Sequence, residues 1–85
     1  MAEKKPVGEV THFFTNISVA VIKLSDKLKE GEKILIEGAT TNLEQTADSM
    51  QIEHKEVKEA NKGDSIGLKV KDRVREGDKV YRIEE

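Results

Sequence analysis

The residues able to do acid–base, nucleophilic or metal chemistry are few in this sequence, and their spacing assembles no recognisable site. Cysteine is absent, which excludes both a disulfide framework and a thiolate metal site. Two histidines, His12 and His54, lie far apart with no His-x-x-x-His pair, so neither a metal nor a cofactor is expected. The phosphate-binding loop of nucleotide hydrolases does not occur, so no nucleotide binding is expected. Ser, His and Asp are all present, but no Gly-x-Ser-x-Gly nucleophile elbow is read among them, so no hydrolytic triad is expected. His12, beside Phe13 in a strand-like run, reads as a surface or half-buried histidine. No catalytic residue is assigned, and the chain is expected not to be an enzyme.

Binding chemistry is better represented. Lys69, Lys71, Arg73 and Arg75, with Lys79 beyond them, form the most basic run. Positions 69, 71, 73 and 75 share one face if the backbone stays extended, and such cations read nucleic-acid phosphates without base specificity. Asp72, Glu76 and Asp78 are interleaved, so a mixed solvated surface is the competing reading. His54-Lys55 falls where a chain reversal is expected, either as a plain turn or as an RNA contact. Aromatic platforms for bases are scarce: Phe13, Phe14 and Tyr81 are the only aromatics. Ile17, Val19 and Val21 occupy one face of a strand whose other face carries Ala20, Ile22 and Leu24. A barrel strand needs one apolar face, so the second set is either a partner interface or a surface covered by the chain itself.

The elements that must position these residues read as short strands. Eighty-five residues suffice for one domain, with residues 1–5 as a disordered N-terminal tail and 6–85 as the folded unit. The composition is 35% hydrophobic and 38% charged, thin in apolar residues for a globular domain. A net charge of −2 and the grouping of apolar residues into runs argue for a fold rather than disorder. The slight acidity confines any RNA contact to a local patch. With no apolar span and no signal-like N-terminus, membrane association is not expected and a cytoplasmic location is.

Three segments repeat one turn signal: Glu30-Gly31-Glu32, Lys62-Gly63-Asp64 and Glu76-Gly77-Asp78. In each, glycine supplies a positive φ, the acid bonds nearby amides, and a strand follows. Strands are expected over residues 7–14, 17–24 and 32–38, and again after Gly63 and Gly77. Residues 42–61 are ambiguous. Leu43, Ala47, Met50, His54 and Val57 recur at helical spacing in a helix-favouring composition, whereas Met50 and Ile52 suit one face of a strand. A strand over residues 45–53 is the reading adopted.

Several phrases resemble the second-domain barrel of elongation factor Tu and related translational GTPases. They include Val19-Ala20-Val21-Ile22, the run from Leu28 to Gly38, Ser49-Met50-Gln51, Ala60 to Leu68, and Arg75 to Val80. The sequence is also similar to stand-alone elongation factor-like proteins and to the accessory barrel of collagenase-like peptidases, some of whose relatives are implicated in RNA hydroxylation. The resemblance implies an all-β fold: a small closed antiparallel β-barrel of about six strands. Together with the basic run, it leads to the expectation of a non-enzymatic binding module that contacts tRNA or ribosomal RNA through His54, Lys55, Lys69, Lys71, Arg73 and Arg75. At the positions where the translational family grips aminoacylated tRNA, this chain carries Gln51, His54 and Ser65, all different from the family's residues. The other expectation is an accessory domain that docks through Ile17, Val19 and Val21 onto a larger catalytic subunit, peptidase-like or RNA-modifying.

Overall fold

The computed structural model describes residues 3–53 and 55–84. Among them are ten strands and no helix: β1 (Glu3–Phe14), β2 (Val19–Leu24), β3 (Leu28–Lys29), β4 (Lys33–Glu37), β5 (Asn42–Thr46), β6 (Met50–Ile52), β7 (Lys55–Val57), β8 (Glu59–Ala60), β9 (Ser65–Lys69) and β10 (Lys79–Glu84). Eight of these form one sheet in the order β5-β4-β10-β1-β2-β9-β6-β7, and β3 pairs with β8 as a separate ribbon. Every pairing is antiparallel.

The three glycine–acid turns share one construction. Gly31, Gly63 and Gly77 have φ of +93°, +93° and +91°, the value required at the third position of a type II turn. In each, the acid's N–H donates to the carbonyl of the residue three earlier: Glu32 to Lys29, Asp64 to Asn61, Asp78 to Arg75. The acid's carboxylate in turn accepts that earlier residue's N–H, at 2.7, 2.9 and 2.8 Å. Each glycine N–H donates to a carbonyl elsewhere in the chain, that of Ala47, Leu24 or Val10, which ties the turn to the sheet.

Alternation within the strands builds the core. Ala20, Ile22 and Leu24 of β2, Ile34 and Ile36 of β4, and Ile66 and Leu68 of β9 are buried together with Met50 and Val80. Two irregularities in β1 let one long strand serve two neighbours. The register shifts between Pro6 and Gly8 against β10, and between Val10 and His12 against β2. Extra residues of this kind bend a strand and raise its twist. They place both Val7 and Val10 inward, three positions apart. Glycine is needed at position 8, where a Cβ would lie 2.7 Å from the Ile22 side chain and 2.8 Å from the Lys23 carbonyl.

Four expectations are corrected here. The fold is all-β but the sheet is not closed by strand pairing, because among the described residues no ladder joins β5 to β6 or β7. A side chain of β5 instead reaches the end of β9 and the segment after it. Gln45, 6% exposed, donates to the Lys69 carbonyl at 3.0 Å and accepts the Lys71 N–H at 2.9 Å. Residues 3–5, expected in a tail, extend β1 along β10, with Lys4 opposite Ile83 and Lys5 opposite Arg82. Strand β2 starts at Val19, so Ile17 lies in the β1–β2 turn rather than on the strand. The single strand over 45–53 is two strands, β5 and β6, broken at 47–49. Leu43, Gln45 and Ala47 keep the two-residue alternation; the break resets it before Met50, and the turns before Val57 and Ala60 reset it again. A strand period interrupted in this way imitates helical spacing.

Candidate functional site

Two surfaces stand out once the core is assigned. The first is the outer face of β2 and its turn. Ala20, Ile22 and Leu24 point inward, so Val19 and Val21 face outward, half-buried. Ile17 and Phe14 are the exposed large hydrophobics among the described residues, at 60% and 46%. With Gln51 and Gly67 they line a shallow depression of about 240 Å³. Gly67, opposite Val21 in the ladder, leaves room there because it has no side chain. The His12 ring meets the Phe14 ring edge-on at 4.4 Å between centroids, and its Nδ1 lies 3.3 Å from a Glu76 carboxylate oxygen. Large exposed apolar side chains gathered into a depression are what a docking surface offers.

The second surface is the segment between β9 and β10. It does not stay extended: the chain bends at Lys71 and Asp72, so positions 69, 71, 73 and 75 do not form the regular stripe expected of a strand. Val70 and Val74 are buried as anchors of the core. The segment is tied down by Val70 N–H to Ser18 O at 2.9 Å and by Gly77 N–H to Val10 O at 2.7 Å. Lys71, Arg73 and Arg75 are left exposed. Arg73 and Arg75 line a polar groove of about 420 Å³ with Thr40, Thr41, Asn42 and Asp72. Lys79 is not part of this surface in charge terms, since its Nζ pairs with Glu9 at 2.9 Å.

The remaining expected residues are scattered. Lys55 opens β7 opposite Ile52, whereas Lys69 lies beyond Leu68, the partner of Met50, so the two sit at opposite ends of the β6–β7 hairpin. His54 lies outside the described residues. Gln51 and Ser65 are exposed at the edge of the apolar depression.

The expectation that no Gly-x-Ser-x-Gly motif occurs is wrong: Gly63-Asp64-Ser65-Ile66-Gly67 has that spelling of a nucleophile elbow. Its geometry is wrong for one. An elbow joins a strand to a helix through a strained serine. Ser65 instead begins β9 and pairs with Lys23, and among the described residues the positive-φ residues other than glycine are Ser18 and Glu53. No group of three His, Cys, Asp or Glu able to hold a metal occurs among the described residues. No helix among them is long and apolar enough to cross a membrane.

No protein-family model matches the chain. It is homologous to part of an uncharacterized protease of Methanocaldococcus jannaschii, with 47% identity over 83 residues. It is likewise homologous to part of a collagenase of Porphyromonas gingivalis, with 34% identity over 84 residues. In both cases the match takes in 96% of this chain but only 20% and 23% of the relative, so the chain spans about a fifth of the curated relatives' length. Its fold is that of the C-terminal domain of a candidate U32 peptidase from Geobacillus thermoleovorans. That comparison gives a TM-score of 0.86 at 18% identity, covering 95% of this chain and 93% of that one. The selenomethionine variant of the same domain gives a TM-score of 0.85 at 16% identity, covering 89% and 96%.

These relatives overturn the translational assignment: the sequence kinship is to proteases and collagenases, not to elongation factor Tu. The phrases that suggested it are largely the glycine–acid turns. Such turns report a local backbone requirement that unrelated β-proteins share. The accessory-domain expectation is the one the comparisons favour.

Proposed function

We propose that this chain is a non-catalytic accessory domain that docks onto a larger peptidase-like catalytic unit through the outer face of β2. The observation that carries the reading is the asymmetry of the match, in which nearly all of this chain corresponds to about a fifth of each curated relative. In those relatives the corresponding segment is continuous with a much larger protein, so a large partner surface is available to it. The apolar depression formed by Phe14, Ile17, Val19 and Val21 supplies the contact. Ile17 is its centre, being the most exposed large hydrophobic in the described residues. An exposed aliphatic side chain beside an aromatic is the usual composition of an interface anchor.

The test is affinity capture with the tagged chain from its own cells, with nuclease added and captured proteins identified by mass spectrometry. The expected partner is related in sequence to the rest of the proteases named above, and its retention is lost with Ile17→Lys. Absence of any such protein, or retention indifferent to Ile17→Lys, would contradict the reading.

A further inference from the structure

The acids interleaved in the basic segment are all engaged. The Asp72 carboxylate accepts the Arg73 N–H at 2.7 Å. The Asp78 carboxylate accepts the Arg75 N–H at 2.8 Å and is 6% exposed. Glu76 lies against His12. By contrast, among the described residues the side chains of Lys69, Lys71, Arg73 and Arg75 form no ion pair, although Lys4, Lys27, Lys33, Lys79 and Arg82 do. The three carboxylates keep their charge while so engaged, so residues 69–78, with four cations against three acids, carry a formal charge of +1 in a chain whose net charge is −2. Arg73 and Arg75 line a groove together with Thr40, Thr41, Asn42, Leu43 and Asp72.

From this arrangement we infer that the groove between the β4–β5 turn and the β9–β10 segment binds the phosphate backbone of a nucleic-acid strand. Arginine is suited to phosphate oxygens because its planar fork can donate two hydrogen bonds at once. Threonine and asparagine beside cations complete the donor set typical of backbone contacts. No aromatic residue lines the groove, so bases are not stacked there and the strand is held without sequence preference. This site is separate from the β2 docking face and does not depend on it.

The experiment is fluorescence anisotropy of labelled single-stranded RNA and DNA dodecamers titrated with the full chain. With the two groove arginines engaged, log K against log salt has a slope of about −1.4, a loss of roughly sevenfold between 50 and 200 mM salt. Changing Arg73 and Arg75 together to Ala weakens binding at least tenfold at low salt and lowers the slope by about 1 to 1.5. The equal charge change Lys58→Ala with Lys62→Ala leaves affinity within twofold, and circular dichroism confirms that both variants fold. Inorganic phosphate competes only as ionic strength alone would, which identifies the strand rather than a free phosphate as ligand. Absence of binding at low salt overturns the proposal. So does an equal loss in both double variants, displacement by dilute phosphate, or equal affinity for a polyglutamate peptide.

Discussion

At Gly77 the backbone sits at φ +91°, and a Cβ placed there would meet nothing within 4 Å. The cost of Gly77→Ala is therefore conformational rather than steric, about 1–2 kcal/mol for a left-handed non-glycine residue. In a domain of this size that lowers the melting temperature by roughly 4–8 °C per kcal/mol, readable by thermal denaturation. Gly31→Ala behaves alike, because its φ is +93° in equally open space. A second residue-scale expectation concerns Gln45. Its replacement by Leu removes the partners of the Lys69 carbonyl and the Lys71 N–H, costing about 1–3 kcal/mol in a urea titration. Unchanged stability would mean that this side chain does not tie β5 to the end of β9. The glycines were legible in the sequence because positive φ leaves a compositional mark. Gln45 was not, since a polar residue among Glu, Gln and Thr gives no sign that it is buried.

Strands with clear alternation, β2, β4 and β9, were legible because each has one buried face. Residues 42–61 were less so: four short strands separated by brief breaks keep no single period long enough to read. Far-UV circular dichroism should accordingly lack the double minimum of a helix. The β9–β10 segment was legible as basic but not in its shape, which is set by Val70 and Val74 entering the core. Val74→Ala removes two buried methyl equivalents and destabilises by about 2 kcal/mol, checked by the urea midpoint. The same change loosens the backbone carrying Arg73 and Arg75, so strand binding weakens although no charge is altered. For the β2 face, sequence alternation separated the two sets of side chains correctly. It could not place Ile17 in the turn, where the chain leaves the ladder after Phe14 and Ser18 takes φ +54°.

On the scale of the whole molecule, one antiparallel sheet curls around an aliphatic core, and the two proposed surfaces lie on different elements. The outer face of β2 serves protein docking, and the groove beside the β9–β10 segment serves a polyanion. The expected closure of the barrel was wrong because closure depends on which strand edges meet, which strand patterning does not report; Gln45 instead ties β5 to the end of β9 through its side chain. The likeness to the accessory barrel of collagenase-like peptidases was legible in the sequence and is supported by the relatives, whereas the translational likeness rested on turn chemistry common to many β-folds. The most direct measurement of the docking claim is amide hydrogen exchange on the chain, free and in its captured complex. Protection gained over residues 13–21 and 51–67, with little change at β4 and β5, is the expected result. Protection absent from the β2 face, or confined to the Thr40–Asn42 side, would contradict it.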